Sequence, residues 1–154
     1  MKLTIIGAGS SYTPEVMDGL FSDECFAGSE IVLYDIPEAR ERLRIINDLS
    51  NRMASKNNFN VKIYMAESLE DALKDASYVL SQFRVGFLEA RILDEKIPLK
   101  YGLIGQETTG AGGFFCAMRT IPATINIARL MEKLCPDAWL INFTNPSGII
   151  TEAI

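Results

Sequence analysis

The chain has 154 residues, 48% of them hydrophobic and 23% charged, the size and balance of one globular domain able to bury a core. A net charge of −5 argues against nucleic acid and anionic membranes as partners, while leaving room for a local basic site that holds a phosphate. No apolar run approaches the roughly 18 residues of a membrane span, and histidine is absent, which excludes a Ser-His-Asp triad and a His-based metal site within the chain.

Strand and helix patterns alternate along the chain. Lys2–Ile6 reads as a short apolar strand ending in a Gly-rich turn. A helix is expected from Pro14 to Phe21, with Thr13 as N-cap and Pro14 at the first helical position. Glu30–Asp35 is a second strand. Pro37 opens a helix to about Ser55, on which Leu43, Ile46 and Leu49/Ser50 fall at helical spacing. Asn60–Met65 is a third strand, followed by a short helix, Leu69–Lys74. Tyr78–Phe83 is a fourth strand, and a helix from about Leu88 to Tyr101 follows. Gly105–Gly113 reads as a polar loop. Phe115–Leu134 reads as a helix interrupted or kinked near Pro122, Ala138–Phe143 as a fifth strand, and Thr144–Ser147 as the start of a last helix. That helix carries Ile149, Ile150 and Ile154 without a stop signal, so the chain is expected to be the N-terminal part of a longer protein. Alternation with near-continuous apolar strands predicts an α/β fold, Rossmann-type and doubly wound, with a mainly parallel sheet and helices on both faces.

The segment Gly7-Ala8-Gly9-Ser10-Ser11-Tyr12-Thr13-Pro14 stands directly between a strand and a helix. Two glycines there permit a tight turn and close approach of backbone to a pyrophosphate, which the amides of the following helix then face. Tyr12 occupies the place of the third glycine of the GxGxxG pattern. Asp35, at the end of the second strand, is placed to accept hydrogen bonds from adenosine ribose hydroxyls, and its charge favours NAD over NADP. Gly7, Gly9, Ser10, Ser11, Thr13 and Asp35 are therefore the expected cofactor-binding residues. The bland alternative is a glycine turn in a nucleotide-free α/β protein, with Asp35 capping the next helix.

Two further segments follow strand ends, where ligands of a doubly wound sheet bind. Arg84-Val85-Gly86-Phe87-Leu88-Glu89-Ala90-Arg91 follows the fourth strand, and Gly105-Gln106-Glu107-Thr108-Thr109-Gly110-Ala111-Gly112-Gly113 forms the polar loop. Arg84, Arg91, Glu107, Thr109, Asn142 and Asn145 are expected to converge with the phosphate turn. Spacing alone is equally compatible with a solvated arginine face, a loop carboxylate and a flexible glycine connector. Cys25, Cys116 and Cys135 are odd in number and form no CxxC pair, as expected of reduced structural thiols. With no leader pattern at residues 1–7, the expected compartment is the cytoplasm.

Taken together, the GAGSSYTP turn, the RVGFLEARILDEKIPLKYGLIGQETTGAGG run and the FTNPSG segment resemble glycoside hydrolase family 4. The resemblance covers the whole chain and is closest to the 6-phospho-β-glucosidase branch, through Ile97–Gly102 and Gln106–Gly110. It implies NAD and a divalent metal, Mn2+, as cofactors of the complete enzyme. It further implies that Arg91 and Asn145 bind the sugar-phosphate substrate, and that Glu107 supports a base tyrosine that falls beyond residue 154. The metal-binding cysteine and histidine fall beyond it too, so residues 1–154 are read as the NAD-binding domain, with no metal ligand and no expected activity by themselves.

The implied reaction is hydrolysis of 6-phospho-β-glucosides by an NAD-dependent redox-elimination route. Hydride abstraction at C3 is followed by C2 deprotonation, elimination of the aglycone and addition of water. The implied partners are a phosphorylated disaccharide or aryl glucoside and further copies of the chain in a homo-oligomer. The alternatives are another family 4 activity (6-phospho-α-glucosidase or α-galactosidase), a lactate/malate-type NAD-dependent dehydrogenase, and a nucleotide-sensing module without chemistry.

Overall fold

The computed structural model describes all 154 residues. The chain divides into two compact units, Met1–Phe83 with Leu130–Ile141, and Arg84–Arg129 with Asn142–Ile154.

The first unit is built on a five-stranded sheet in the order β3-β2-β1-β4-β5, formed by β1 (Lys2–Ile6), β2 (Glu30–Tyr34), β3 (Lys62–Met65), β4 (Tyr78–Ser81) and β5 (Trp139–Asn142). β1 pairs in parallel with β2, Ile5 opposite Leu33, and with β4, Ile6 opposite Ser81; β2 pairs in parallel with β3. Ile5, Val32, Leu33 and Val79 are fully buried, as strands covered on both faces must be. On one face, Leu3, Ile5, Ile31 and Leu33 pack with Met17 and Phe21 of α1 (Thr13–Phe21) and Leu43 of α2 (Arg40–Lys56). On the other, Val32 packs with Ala72 of α3 (Leu69–Leu73), and Thr4 donates its hydroxyl to the Ala72 carbonyl at 2.6 Å. Alternate strand residues thus feed opposite helix layers, which makes the sheet doubly wound. Because Ile5 is completely buried, Ile5→Val is expected to cost ~0.5–1.5 kcal/mol. A lower denaturant midpoint at constant slope checks this, and an unmoved midpoint contradicts it.

Some expected boundaries shift. The second strand ends at Tyr34, because Asp35 turns its carboxylate into the neighbouring glycine turn. The second helix opens with a 3-10 turn, Pro37–Ala39, and becomes α-helical at Arg40. Thr13 is not an N-cap: α1 starts at Thr13 itself, after Tyr12, which makes no side-chain cap. Ser68 does cap α3, accepting from the Asp71 amide at 3.1 Å.

The second unit contains α4 (Phe87–Leu99), most of α5 (Gly110–Leu134) and α6 (Ser147–Ala153). The glycine run at 110–113 is the first turn of α5 and not a connector. α5 also continues through Pro122 unbroken. Pro122 lies on the exposed side of the helix, so the carbonyl it leaves unbonded four residues earlier, at Met118, can be hydrated; Met118 is itself 58% exposed. No helix is long and apolar enough to cross a membrane.

Candidate functional site

In the first unit the order β3-β2-β1-β4 reverses direction between β1 and β4, the position where doubly wound sheets bind ligands beyond their strand ends. Gly7 leaves β1 with φ +82°. A Cβ on it would stand 2.6 Å from the Gln82 carbonyl oxygen and 2.8 Å from Phe83 Cβ, so only glycine lets the turn pass the end of β4. The Gly7 and Ala8 amides donate to the Tyr34 carbonyl at 2.9 and 3.1 Å. The turn is therefore fixed to both neighbours of β1.

Most of the turn's amides are already paired. Ser10 N–H donates to Gly7 O and Thr13 N–H to Ser10 O, each at 3.1 Å, and Tyr12 N–H donates to Ser10 Oγ at 3.2 Å. The Ser11 amide is the turn donor left without an acceptor, and Ser11 is exposed. Thr13 is fully buried. Its hydroxyl donates to Ala8 O at 2.8 Å and accepts from Gln82 Nε2 at 2.7 Å. Thr13 accordingly shapes the turn from inside and presents no group to a ligand, a correction to its expected role. Gln82 Oε1 is buried without a partner.

Asp35 Oδ2 accepts the Gly9 amide at 2.8 Å, and Oδ1 accepts the Ile36 amide at 2.8 Å. Ile36 heads the 3-10 turn without a side-chain cap, so Asp35 is no helix cap. A Cβ on Gly9 would stand 2.9 Å from Asp35 Oδ2; the second glycine is what allows the carboxylate into the turn. Each carboxylate oxygen keeps further lone-pair capacity for hydroxyl donors.

The second unit brings together three of the expected residues. Glu107 Oε2 lies 2.9 Å from Arg84 Nη2 and 3.0 Å from Arg91 Nε. Arg91 Nε also donates to Glu95 Oε1 at 2.7 Å, one helical turn further along α4. The hydrogen bond to Glu95, and next the charge of Glu107, hold the Arg91 guanidinium above its ordinary pKa. Both terminal nitrogens of Arg91 remain without hydrogen bonds, and its side chain is 41% exposed. A guanidinium anchored through Nε with a free fork is arranged to take a second anion through two charge-assisted bonds. Arg84 Nη1 is buried without an acceptor.

The loop that carries Glu107 is clamped by glycines. Added Cβ atoms would collide with the Glu95 carbonyl oxygen at Gly105 and the Gln106 carbonyl oxygen at Gly112, and would reach 2.5 Å from Thr108 at Gly113. Thr109 donates its hydroxyl to Gln106 Oε1 within the same loop, which is a local role. Asn142 also serves the fold: its carboxamide binds the Thr151 hydroxyl at 3.0 Å and the Thr144 and Ser147 carbonyls at 3.3 Å, and accepts the Thr144 amide at 3.0 Å. Asn145 is exposed, its side chain makes no hydrogen bond, and its carbonyl accepts the Cys116 thiol at 3.7 Å.

Two residues of this unit escaped the sequence reading. Asp94, 3% exposed, takes two bonds from Arg119, at 2.8 Å from Nη1 and 2.5 Å from Nη2. The available signal was Arg119 itself, a cation next to the buried positions Cys116, Ala117 and Thr120 of α5, where an unpaired charge is not tolerated. No three His, Cys, Asp or Glu side chains gather as a metal site.

The family model described as Family 4 glycosyl hydrolase matches residues 2–154. A probable 6-phospho-beta-glucosidase of Bacillus subtilis (strain 168) is 51% identical over all of the chain and 35% of its own length. 6-Phospho-alpha-glucosidase 1 of Lacticaseibacillus paracasei is 39% identical over 99% of the chain and 34% of its own length. A crystal structure of the 6-phospho-beta glucosidase of Thermotoga maritima with manganese, NAD+ and glucose-6-phosphate superposes with a TM-score of 0.88 at 46% identity, covering 99% of the chain and 37% of that protein. The chain thus spans about a third of the length of the relatives it matches.

Proposed function

The chain belongs to family 4 of the glycosyl hydrolases, and on that premise we propose that residues 1–154 form the NAD-binding N-terminal domain of a longer 6-phospho-β-glucosidase. The β assignment is supported by 51% and 46% identity to a probable 6-phospho-β-glucosidase and a 6-phospho-β-glucosidase, against 39% to a 6-phospho-α-glucosidase. The single observation that carries the phosphorylated substrate is the Arg91 fork, open at both terminal nitrogens while Glu95 and Glu107 hold Nε.

The residues of the turn fit NAD. Gly7 lets the turn pass the end of β4 and Gly9 admits the Asp35 carboxylate, Ser11 offers an unpaired amide beside the Ser10 and Ser11 hydroxyls, and Asp35 retains acceptor capacity for ribose. When bound, NAD+ supplies a hydride acceptor for C3 of the sugar. Arg91 holds the 6-phosphate, Asn145 offers a free carboxamide to sugar hydroxyls, and Glu107 presents a carboxylate that favours proton removal by a neighbouring base. The side chains of this chain do not form a metal centre. The same reading makes the protein a cytoplasmic homo-oligomer; exposed Leu88, Leu93, Tyr101 and Ile104 support association through the second unit.

The test is turnover of p-nitrophenyl 6-phospho-β-glucoside by the full-length protein with NAD+ and Mn2+, against oxidation of lactate or malate. Release of p-nitrophenol supports the proposal, and hydroxy-acid oxidation without it refutes the proposal. Asp35→Ala removes a charged acceptor, worth ~1.5–3 kcal/mol, so NAD+ affinity should fall about 10- to 100-fold. An unchanged dissociation constant by calorimetry removes Asp35 from the site.

A further inference from the structure

The Asp94–Arg119 pair has a geometry that its stability contribution does not explain. Asp94 is 3% exposed and receives two parallel bonds from a guanidinium. Arg119 Nη1 also donates to the Phe115 carbonyl at 3.2 Å, one turn back on α5, so the cation is fixed to its own helix. Arg119 Nε is buried with no acceptor. Replacing such a buried pair by apolar residues of similar volume is often neutral or stabilising, so burial energy alone gives no reason to keep it. A two-bond carboxylate–guanidinium contact does what apolar packing does not, which is to set the angle of one helix about its axis against another.

On α4 that angle decides where Arg91 points. Asp94 lies three residues after Arg91, on the same side of the helix, and Glu95, the anchor of Arg91 Nε, is the next residue. A slip of one residue about the axis turns α4 by about 100° and takes Arg91 away from Glu107. One close approach between the two helices holds the same register: a Cβ on Gly112 of α5 would stand 2.9 Å from the Asp94 carbonyl oxygen. We propose that Asp94 and Arg119 are positioning residues for the phosphate-binding arginine: their bridge locks α4 on α5 in the one rotation that anchors Arg91 through Nε and leaves its terminal nitrogens open. This rests on the reading of Arg91 as the phosphate ligand.

The experiment uses the full-length protein with NAD+ and Mn2+. It measures glucose 6-phosphate against glucose affinity by calorimetry, and KM and kcat for p-nitrophenyl 6-phospho-β-glucoside. Two variants are compared with wild type: Arg119→Lys, which keeps the charge and loses the fork, and the double replacement Asp94→Leu with Arg119→Met, which removes both charges. The expected result in both is at least a tenfold loss of preference for the phosphorylated sugar and a matching rise in KM. Glucose affinity, NAD+ affinity and kcat should stay within about threefold. A folded variant with the wild-type preference overturns the proposal. Failure of both variants to fold also overturns it, by making the bridge a stability element. If Arg91→Ala itself leaves the preference unchanged, what fails is the reading of Arg91.

Discussion

Gly112→Ala is expected to lower the melting temperature by several degrees and to weaken the binding of glucose 6-phosphate in the same protein. The added methyl group would collide with the carbonyl oxygen of Gln106 and stand 2.9 Å from that of Asp94. Both obstacles are backbone, so neither can swing aside as the end of a side chain can. Overpacking of this kind costs about 1–3 kcal/mol, and in a chain of this size each kcal/mol lowers the melting temperature by about 2–4 °C. The relief available is movement of the loop at Gln106, whose next residue is Glu107, so the ion pairs from Arg84 and Arg91 to Glu107 would be lost with it. Gly19→Ala is the control. Gly19 lies within α1 and has nothing within 4 Å of an added Cβ, so alanine there should stabilise by ~0.5–1 kcal/mol. Equal melting temperatures for the two variants would show that the loop yields freely.

Arg91→Ala should reduce affinity for glucose 6-phosphate on the order of 100-fold, since two hydrogen bonds to a charged group contribute ~1.5–3 kcal/mol each before compensation by water. Affinity for unphosphorylated glucose should stay near wild type. Thermal stability should hardly change: the Arg91 pairs with Glu95 and Glu107 are 41% exposed on the arginine side, and exposed ion pairs contribute ~0–1 kcal/mol. Arg91→Lys should fall between, keeping the charge without the fork. A large drop in melting temperature with unchanged discrimination would make Arg91 a structural residue and remove the phosphate site.

The polar stretch between α4 and α5 shows where reading a sequence stops. Glycines at 110, 112 and 113 suggest a flexible connector, because glycine is permissive in isolation. In the fold, Gly112 and Gly113 are the first turn of a helix pressed against the Gln106–Thr108 backbone. Asn142, on the fifth strand, is expected to converge with the phosphate turn; in the fold its carboxamide binds residues of α6. Thr13 carried the residue type of an N-cap, but complete burial turns its hydroxyl to Ala8 and Gln82.

Residue order alone determined the alternation of strands and helices, the parallel sheet, the glycine corner after β1 and the acidic residue after β2. Those features rest on periodicity and on backbone demands that act over a few neighbouring residues. Tertiary structure decided the rest: that Gln82 braces the corner, that Glu107 meets arginines 23 and 16 positions away, and that Asp94 meets Arg119 rather than a nearer cation. A charged side chain's type states that it needs a partner. Only the packing of helices brings one particular partner within 3 Å, because the energy of a buried pair depends on geometry that no local pattern encodes.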